Sequence, residues 1–262
     1  MNNLRKLAHL LLLLGLLLAL AAPGLASGPA PALSPDEALK MLKDGNARYL
    51  EGKPQHPHQS KERLALTAGQ GQHPFATVLT CADSRVPPEL IFDQGLGDLF
   101  VVRVAGNVAA GDEIGSLEYA VDHLATPLVV VMGHTQCGAV TAVLENAKAP
   151  PNLAALLAPI KPAVDQARAD NPGASQEVLL NAAIKNNLWQ AVADLFQKSP
   201  IIRGKVRNGK ARVVGALYEI DTGQVQWLGP HPGQDNLLGV KAKEPVAGRG
   251  GKKAKKARKA EE

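Results

Sequence analysis

Three short apolar runs alternate with segments of helical character, and this alternation constrains the fold more than any other feature of the chain. The runs are "FATVLT" (75–80), "LFVVRVA" (99–105) and "PLVVVMG" (127–133). The third run is apolar almost throughout, as expected for a strand that is covered on both faces. One intervening segment carries Ile114, Leu117 and Val121 on one face of a helix. Strands that alternate with helices predict an α/β domain with a mostly parallel sheet.

Elements on either side of this alternation complete the fold prediction. Residues 34–52 predict an N-terminal helix that begins with a capping box of Ser34 and Glu37. Near the other end, "KARVVGALYEIDTGQVQWL" predicts a β-hairpin that turns at residues 221–223. We therefore expect a single α/β domain over residues 34–230. It should have a central, mostly parallel β-sheet flanked by helices, an N-terminal helical arm and a C-terminal β-hairpin.

The first 26 residues have the composition of a secretory signal peptide. Arg5 and Lys6 precede a leucine-rich run over residues 10–20, and small residues follow up to Ala26. A basic start, an apolar middle and a small-residue cleavage site are typical of export signals. An uncleaved membrane anchor is the alternative, although this run is short for a span, which needs about 20 residues. We expect residues 1–26 to be removed and the protein to be exported, either to the periplasm or out of the cell.

The C-terminal residues 240–262 form a basic tail. The whole chain has a net charge of +5, of which the tail contributes +6 and the leader +2, so the remainder carries −3. Low hydrophobicity and like charge predict that the tail is disordered. It could bind an anionic surface through electrostatic attraction, or it could serve solubility alone. Because it has no aromatic residues to stack on bases, we expect no specific nucleic-acid partner.

Cysteine and histidine residues follow two of the predicted strands. Cys81 comes directly after the first run, and His134 and Cys137 come directly after the third. In a parallel sheet the carboxyl ends of the strands meet at one edge, where ligands bind. Two thiolates and an imidazole suit a zinc ion, and three protein ligands leave the fourth position open, as in catalytic zinc sites. The pattern predicts a catalytic centre with one Zn²⁺ per subunit.

An acidic and a basic residue accompany the first cysteine. Asp83 and Arg85 lie two residues apart, so a bidentate pair could hold the carboxylate oxygens in a fixed direction. A carboxylate beside a zinc site can accept a hydrogen bond from the water on the metal, or it can occupy the fourth position itself. We predict catalytic roles for both residues.

Simpler interpretations of the same residues stay open. Two cysteines in an exported chain can form a disulfide, and free cysteines are often buried core residues. Asp83 and Arg85 could be an ordinary ion pair in a loop, which adds little to stability. A disulfide would leave His134, Asp83 and Arg85 without an explanation, and for that reason we favour the metal centre.

Four stretches of the chain closely resemble the β-class carbonic anhydrases: "CADSRVPPELIF", "GDLFVVRVAGN", "GSLEYAVDHL" and "GHTQCGAV". The resemblance covers roughly residues 34–229. It implies zinc held by Cys81, His134 and Cys137, and an Asp–Arg dyad at Asp83 and Arg85. It also implies reversible hydration of CO2 to bicarbonate and a proton by hydroxide on the zinc. The family's enzymes are homodimers or higher homo-oligomers with active sites near the subunit interface.

Further positions are assigned by the resemblance alone. One subdivision of the family uses a glutamine nine residues before the first zinc cysteine to hold the substrate, and Gln72 fits that position. The other subdivision has a tryptophan three residues before that cysteine, beside an inhibitory bicarbonate site, and here this position is Val78. The resemblance thus implies the glutamine-containing, non-allosteric type. Phe100 and Ala105 match apolar positions of the substrate pocket, and Gly138 matches a backbone contact beside the zinc.

Two other functions compete with this one. An enzyme on the same scaffold could hydrolyse a molecule similar to CO2, such as carbonyl sulfide or carbon disulfide, with the same zinc residues. Alternatively, the chain could be a non-catalytic envelope protein whose basic tail binds a surface. The presence of Gln72, Asp83 and Arg85 together favours CO2 as the substrate.

Overall fold

The sheet at the centre of the chain has five strands, and four of them run parallel. The computed structural model describes residues 33–240, so the leader (1–26) and all but the first residue of the predicted tail lie outside the described residues. The strands are β1 (Ala76–Thr80), β2 (Leu99–Arg103), β3 (Leu128–His134), β4 (Arg212–Tyr218) and β5 (Val225–Gly229). Their order in the sheet is β2-β1-β3-β4-β5, and β5 is antiparallel to β4. The predicted α/β fold and its closing hairpin are confirmed.

Helices connect and cover the strands. In chain order they are α1 (Pro35–Leu50), α2 (Lys61–Gln70), α3 (Pro88–Ile91), α4 (Gly111–Glu118), α5 (Gly138–Leu144), α6 (Pro151–Leu157), α7 (Lys161–Asp170), α8 (Gln176–Lys198), α9 (Pro200–Arg207) and α10 (Gln234–Leu238). One π-helical turn extends α4, and one 3₁₀ turn joins α6 to α7. Between residues 33 and 240, none of the helices combines the length and apolarity that a membrane span requires.

The core lies on both faces of the sheet, because successive side chains of a strand point to opposite faces. On one face, Val129 and Val131 of β3 pack in a cluster with Leu188 and other residues of α8. On the other face, Val130 packs in a cluster with Leu42 of α1. All seven residues of β3 are buried, as its continuous apolar run predicted.

The N-terminal helix begins as its sequence predicted, but the next helix was not predicted. The hydroxyl of Ser34 accepts a hydrogen bond from the Glu37 N–H at 3.2 Å, and the Glu37 carboxylate accepts the Ser34 N–H at 2.8 Å. The following helix, α2, starts at a second serine cap, Ser60. None of the residues of α2 is buried, so the helix has no apolar stripe by which the sequence pattern could reveal it.

Close packing of α1 against the end of α3 depends on Gly45. A Cβ atom at this position would lie 1.7 Å from the carbonyl oxygen of Phe92, far inside van der Waals contact. We expect Gly45→Ala to lower the free energy of unfolding by about 3 kcal/mol or more, since backbone must move to admit one methyl group. Urea denaturation of the purified variant measures this loss.

The matched control is Gly69→Ala in α2, where a Cβ atom would meet nothing within 4 Å. Because alanine favours a helix more than glycine does, this variant should gain up to about 1 kcal/mol. Equal effects of the two substitutions would contradict the packing argument.

Candidate metal centre

The carboxyl ends of β1 and β3 bring the three predicted metal ligands together. These strands are parallel neighbours, with Thr80 opposite Met132, so Cys81 and His134 lie at the same edge of the sheet. Cys137 follows in the turn that leads into α5. The ligand atoms of the three side chains lie within 4.8 Å of one another, and all three residues are buried. The Cys–His–Cys cluster, as we call it, is therefore a single site inside the protein.

The imidazole of His134 has one nitrogen that is satisfied and one that is not. Its Nδ1 lies 2.8 Å from the carbonyl oxygen of Thr135, to which an Nδ1–H donates. This bond leaves the lone pair on Nε2, and Nε2 is buried without a hydrogen-bond partner. Buried polar atoms are nearly always paired, so an orphaned nitrogen beside two sulfurs indicates an absent ligand. A second hydrogen bond that fixes the tautomer is also what metal-binding histidines usually have.

The two cysteines are free thiols that perturb each other. Because the two sulfurs lie within 4.8 Å of each other, interaction with Cys137 lowers the pKa of Cys81, and interaction with Cys81 together with burial raises the pKa of Cys137. Cys81 also accepts the backbone N–H of Gly106, at 3.2 Å from its sulfur. One thiol of the pair, Cys81, therefore loses its proton readily. The other, Cys137, loses its proton only if a positive charge lies beside it. A cation supplies that charge, because a coordinated thiol is deprotonated.

Asp83 and Arg85 form the bidentate pair that their spacing predicted. Arg85 Nε lies 3.0 Å from Asp83 Oδ1, and Nη2 lies 2.8 Å from Oδ2. These hydrogen bonds hold the pKa of Asp83 well below its usual range, against the opposing effect of burial. Oδ2 is also 4.0 Å from His134 Nε2, so this oxygen borders the Cys–His–Cys cluster. The site therefore has a permanently ionised carboxylate in a fixed direction.

Three further residues support the cluster, and the sequence analysis assigned them no role. Arg103 donates from Nε to the carbonyl oxygen of Cys81 at 3.1 Å and from Nη2 to that of Asp83 at 2.6 Å. Gly106 has φ +79°, and a Cβ there would lie 2.6 Å from Ile160, so a glycine is required next to the Cys81 sulfur. The buried Asn187 in turn donates to the Gly106 carbonyl oxygen at 2.7 Å.

The predicted pocket residues divide between the two ends of the sheet. Ala105 directly precedes Gly106, and Gly138 directly follows Cys137, so both adjoin the cluster. Gln72 is exposed and precedes β1, whose five residues span about 16 Å. Phe100 is half-buried and pairs with Thr77, near the amino end of β1. The structure therefore does not bring Gln72 or Phe100 to the cluster of their own chain.

The residues present fit a metal ion. Zinc in proteins is bound by sulfur, imidazole nitrogen and carboxylate oxygen, usually four donors in a tetrahedron. Two sulfurs and an unpaired imidazole nitrogen, all within 4.8 Å of one another, supply three of them. The dyad lies beside the cluster, where it can contact whatever completes the coordination. The candidate ligands are Cys81, His134 and Cys137, as the sequence predicted.

Comparisons with known proteins agree with this geometry. The family profile described as "Carbonic anhydrase" matches residues 76–225. Carbonic anhydrase 2 of Mycobacterium tuberculosis is 41% identical over 198 residues, which are 74% of this chain and 93% of the relative.

Similar solved structures indicate which class of carbonic anhydrase the chain resembles. The β-carbonic anhydrase CafA of Aspergillus fumigatus is 27% identical with a TM-score of 0.61, over 78% of this chain and 96% of that one. A structure from work on two tetrameric β-carbonic anhydrases of Sordaria macrospora is 28% identical with a TM-score of 0.56, over 73% and 96%. With this match in sequence, fold and site, the chain belongs to the β-class carbonic anhydrases and is an enzyme of the lyase class.

Proposed function

We propose that the chain catalyses the reversible hydration of CO2 to bicarbonate and a proton, with one zinc ion per subunit held by Cys81, His134 and Cys137. The observation that carries the proposal is the unpaired Nε2 of His134, which is buried within 4.8 Å of two thiols and lies 4.0 Å from an ionised carboxylate. Among common metals, zinc suits a set of sulfur and imidazole donors best.

Besides the metal ligands, three residues of the protein have separate roles in the proposed reaction. A zinc ion bound here would lower the pKa of a bound water to about 7, which supplies a nucleophile at neutral pH. Oδ2 of Asp83 accepts a hydrogen bond from the attacking water and so turns a lone pair of the water oxygen toward CO2. Arg85 keeps Asp83 ionised and fixes its direction. Ala105 offers an apolar contact for CO2 next to the cluster.

We propose that the active enzyme is a homodimer or a higher homo-oligomer in which Gln72 and Phe100 serve the site of another copy. Both residues lie near the amino end of the sheet, away from their own cluster. The neighbouring surface has the properties of an interface. β2 is an edge strand with no fully buried residue, and Arg63 of α2 donates to the carbonyl oxygen of Leu96 just before β2. Exposed apolar side chains on this surface are Leu64, Leu66 and Leu96.

We further propose that residues 1–26 direct export, and that the basic tail binds an anionic surface. The support for both is the sequence: a basic start and leucine-rich run at one end, and a charge of +6 at the other. An exported site must bind its metal before its two thiols are oxidised to each other.

Neutralising the dyad carboxylate tests the function. We expect Asp83→Asn to lower kcat/KM for CO2 hydration by about 100-fold, since the amide cannot accept the same charge-assisted bond. Stopped-flow hydration with a pH indicator measures the rate, and elemental analysis measures zinc per chain. Asp165→Asn is the control, because Asp165 forms an ordinary surface pair with Lys161. A wild-type protein with neither zinc nor hydration activity would overturn the proposal.

Complementation between two inactive variants tests the role of the second copy. Cys81→Ser removes a metal ligand, and Gln72→Ala removes the proposed substrate amide. If Gln72 serves another copy, co-refolded mixtures of these variants contain some sites with both groups intact. Their activity should then exceed the sum of the two separate proteins. Activity equal to that sum would show that Gln72 does not act between chains.

Removal of the metal should expose the thiol pair to oxidation. Because the sulfurs of Cys81 and Cys137 lie within 4.8 Å of each other, small movements can bring them to bonding distance. We expect chelation in air to cause a slow loss of activity and of titratable thiols, which zinc restores only together with a reductant. Full recovery with zinc alone after long oxidation would contradict this prediction. The Cys137→Ser variant is the control for the thiol titration alone: it cannot form the bond, so its single remaining thiol should stay titratable.

A further inference from the structure

A second carboxylate, that of Asp221, is linked to the dyad arginine through Gln136, which contacts both residues. Asp221, in the turn between β4 and β5, accepts the side-chain amide of Gln136, with Nε2 3.0 Å from each carboxylate oxygen. On its other side, the backbone oxygen of Gln136 lies 3.4 Å from Arg85 Nη2. Gln136 therefore lies between a guanidinium and a carboxylate that would otherwise attract each other.

The loop holds Gln136 in this position at a conformational cost. Gln136 has φ +55°, a left-handed conformation that costs a residue with a side chain roughly 1 kcal/mol. The preceding residue is bound to the same hairpin, since Thr135 N–H donates to Tyr218 at 2.9 Å and Thr135 Oγ1 accepts from Ile220 at 3.0 Å. These contacts fix the backbone between the two metal ligands, His134 and Cys137.

Arg85 can respond to a change in this arrangement. Its side chain is 49% exposed, so its pair with Asp83 is partly in water, and such pairs are weak enough to exchange. The pKa of Arg85 is raised mainly by its bonds to Asp83, and the charge of Asp221 contributes as well. Asp221 is therefore a second carboxylate that acts on this guanidinium, while its own hydrogen bonds go to Gln136.

We propose that Gln136 is a positioning residue that occupies Asp221 and thereby keeps Arg85 on Asp83. Without the Gln136 amide, Asp221 becomes free to take Arg85, and Asp83 loses the partner that fixes its direction. This inference rests on the proposed function only in so far as a correctly held Asp83 is needed for CO2 hydration.

A double-mutant cycle tests the proposal. We expect Gln136→Ala to lower kcat/KM for CO2 hydration by about tenfold, with Tm within about 3 °C of the wild type because the residue is exposed. Asp221→Asn alone should have little effect, since its amide oxygen still accepts from Gln136. The two changes together should restore activity to within about threefold of the wild type. A merely structural role predicts a double variant that is no better than Gln136→Ala, and this result would overturn the proposal.

The same turn provides the matched control. Glu219 is a carboxylate two residues from Asp221, and its side chain accepts from Thr222. Glu219→Gln in the Gln136→Ala background should therefore not restore activity. Rescue by this change would show a general charge effect and would also overturn the proposal.

A measurement that does not depend on enzyme activity tests this inference separately from the proposed function. A crystal structure of the Gln136→Ala variant should show the Arg85 guanidinium on Asp221, and that of the double variant should show it back on Asp83. Arg85 still on Asp83 in the single variant overturns the inference, whatever the enzyme's rate. An inactive wild type would count against the proposed function alone, since the crystallographic comparison still decides the pairing.

Discussion

The parallel pairing of β1 with β3 is the contact on which the rest of the site depends. It sets Thr80 opposite Met132, so the residues that follow each strand emerge side by side. A buried hydrogen bond of 2.9 Å from the Thr80 hydroxyl to the Met132 carbonyl oxygen fixes this register close to the cluster. A slip by one residue would turn the side chains of a strand to the opposite face, and Cys81 would no longer face His134.

The electrostatics of the site follow from that convergence. Two thiols and a carboxylate gather at the carboxyl ends of β1 and β3, and two arginines lie beside them. Arg85 binds the Asp83 side chain, while Arg103 binds the backbone oxygens of Cys81 and Asp83. Because Arg103 acts on the backbone, it leaves both side chains of that loop free for chemistry. The two arginines thus have different tasks: Arg103 holds the backbone of the loop, and Arg85 keeps the Asp83 carboxylate ionised.

The side chains of the candidate site could be predicted from the sequence, whereas the residues that support them could not. Cys81 and His134 were found because the ends of parallel strands meet, a rule that needs only strand positions. Gly106 acts through a backbone N–H and Arg103 through backbone carbonyls, so neither residue type signals its contact. Helix α2 was missed because it buries none of its residues. The fold class could be predicted from two patterns: the alternation of strands with helices, and the spacing of apolar residues within each element. Neither pattern depends on any single side-chain contact.

The position of Gln72 decides whether the proposed site can be complete within a single chain. The metal ligands lie at the carboxyl end of the sheet, and Gln72 and Phe100 lie toward its amino end. A rigid strand of five residues separates these ends, and no side-chain rotation closes a gap of about 16 Å. If Gln72 takes part in the reaction, two copies must bring opposite ends of their sheets together. The half-exposed edge strand β2, which would be a liability in a monomer, then has a function as the surface that joins them.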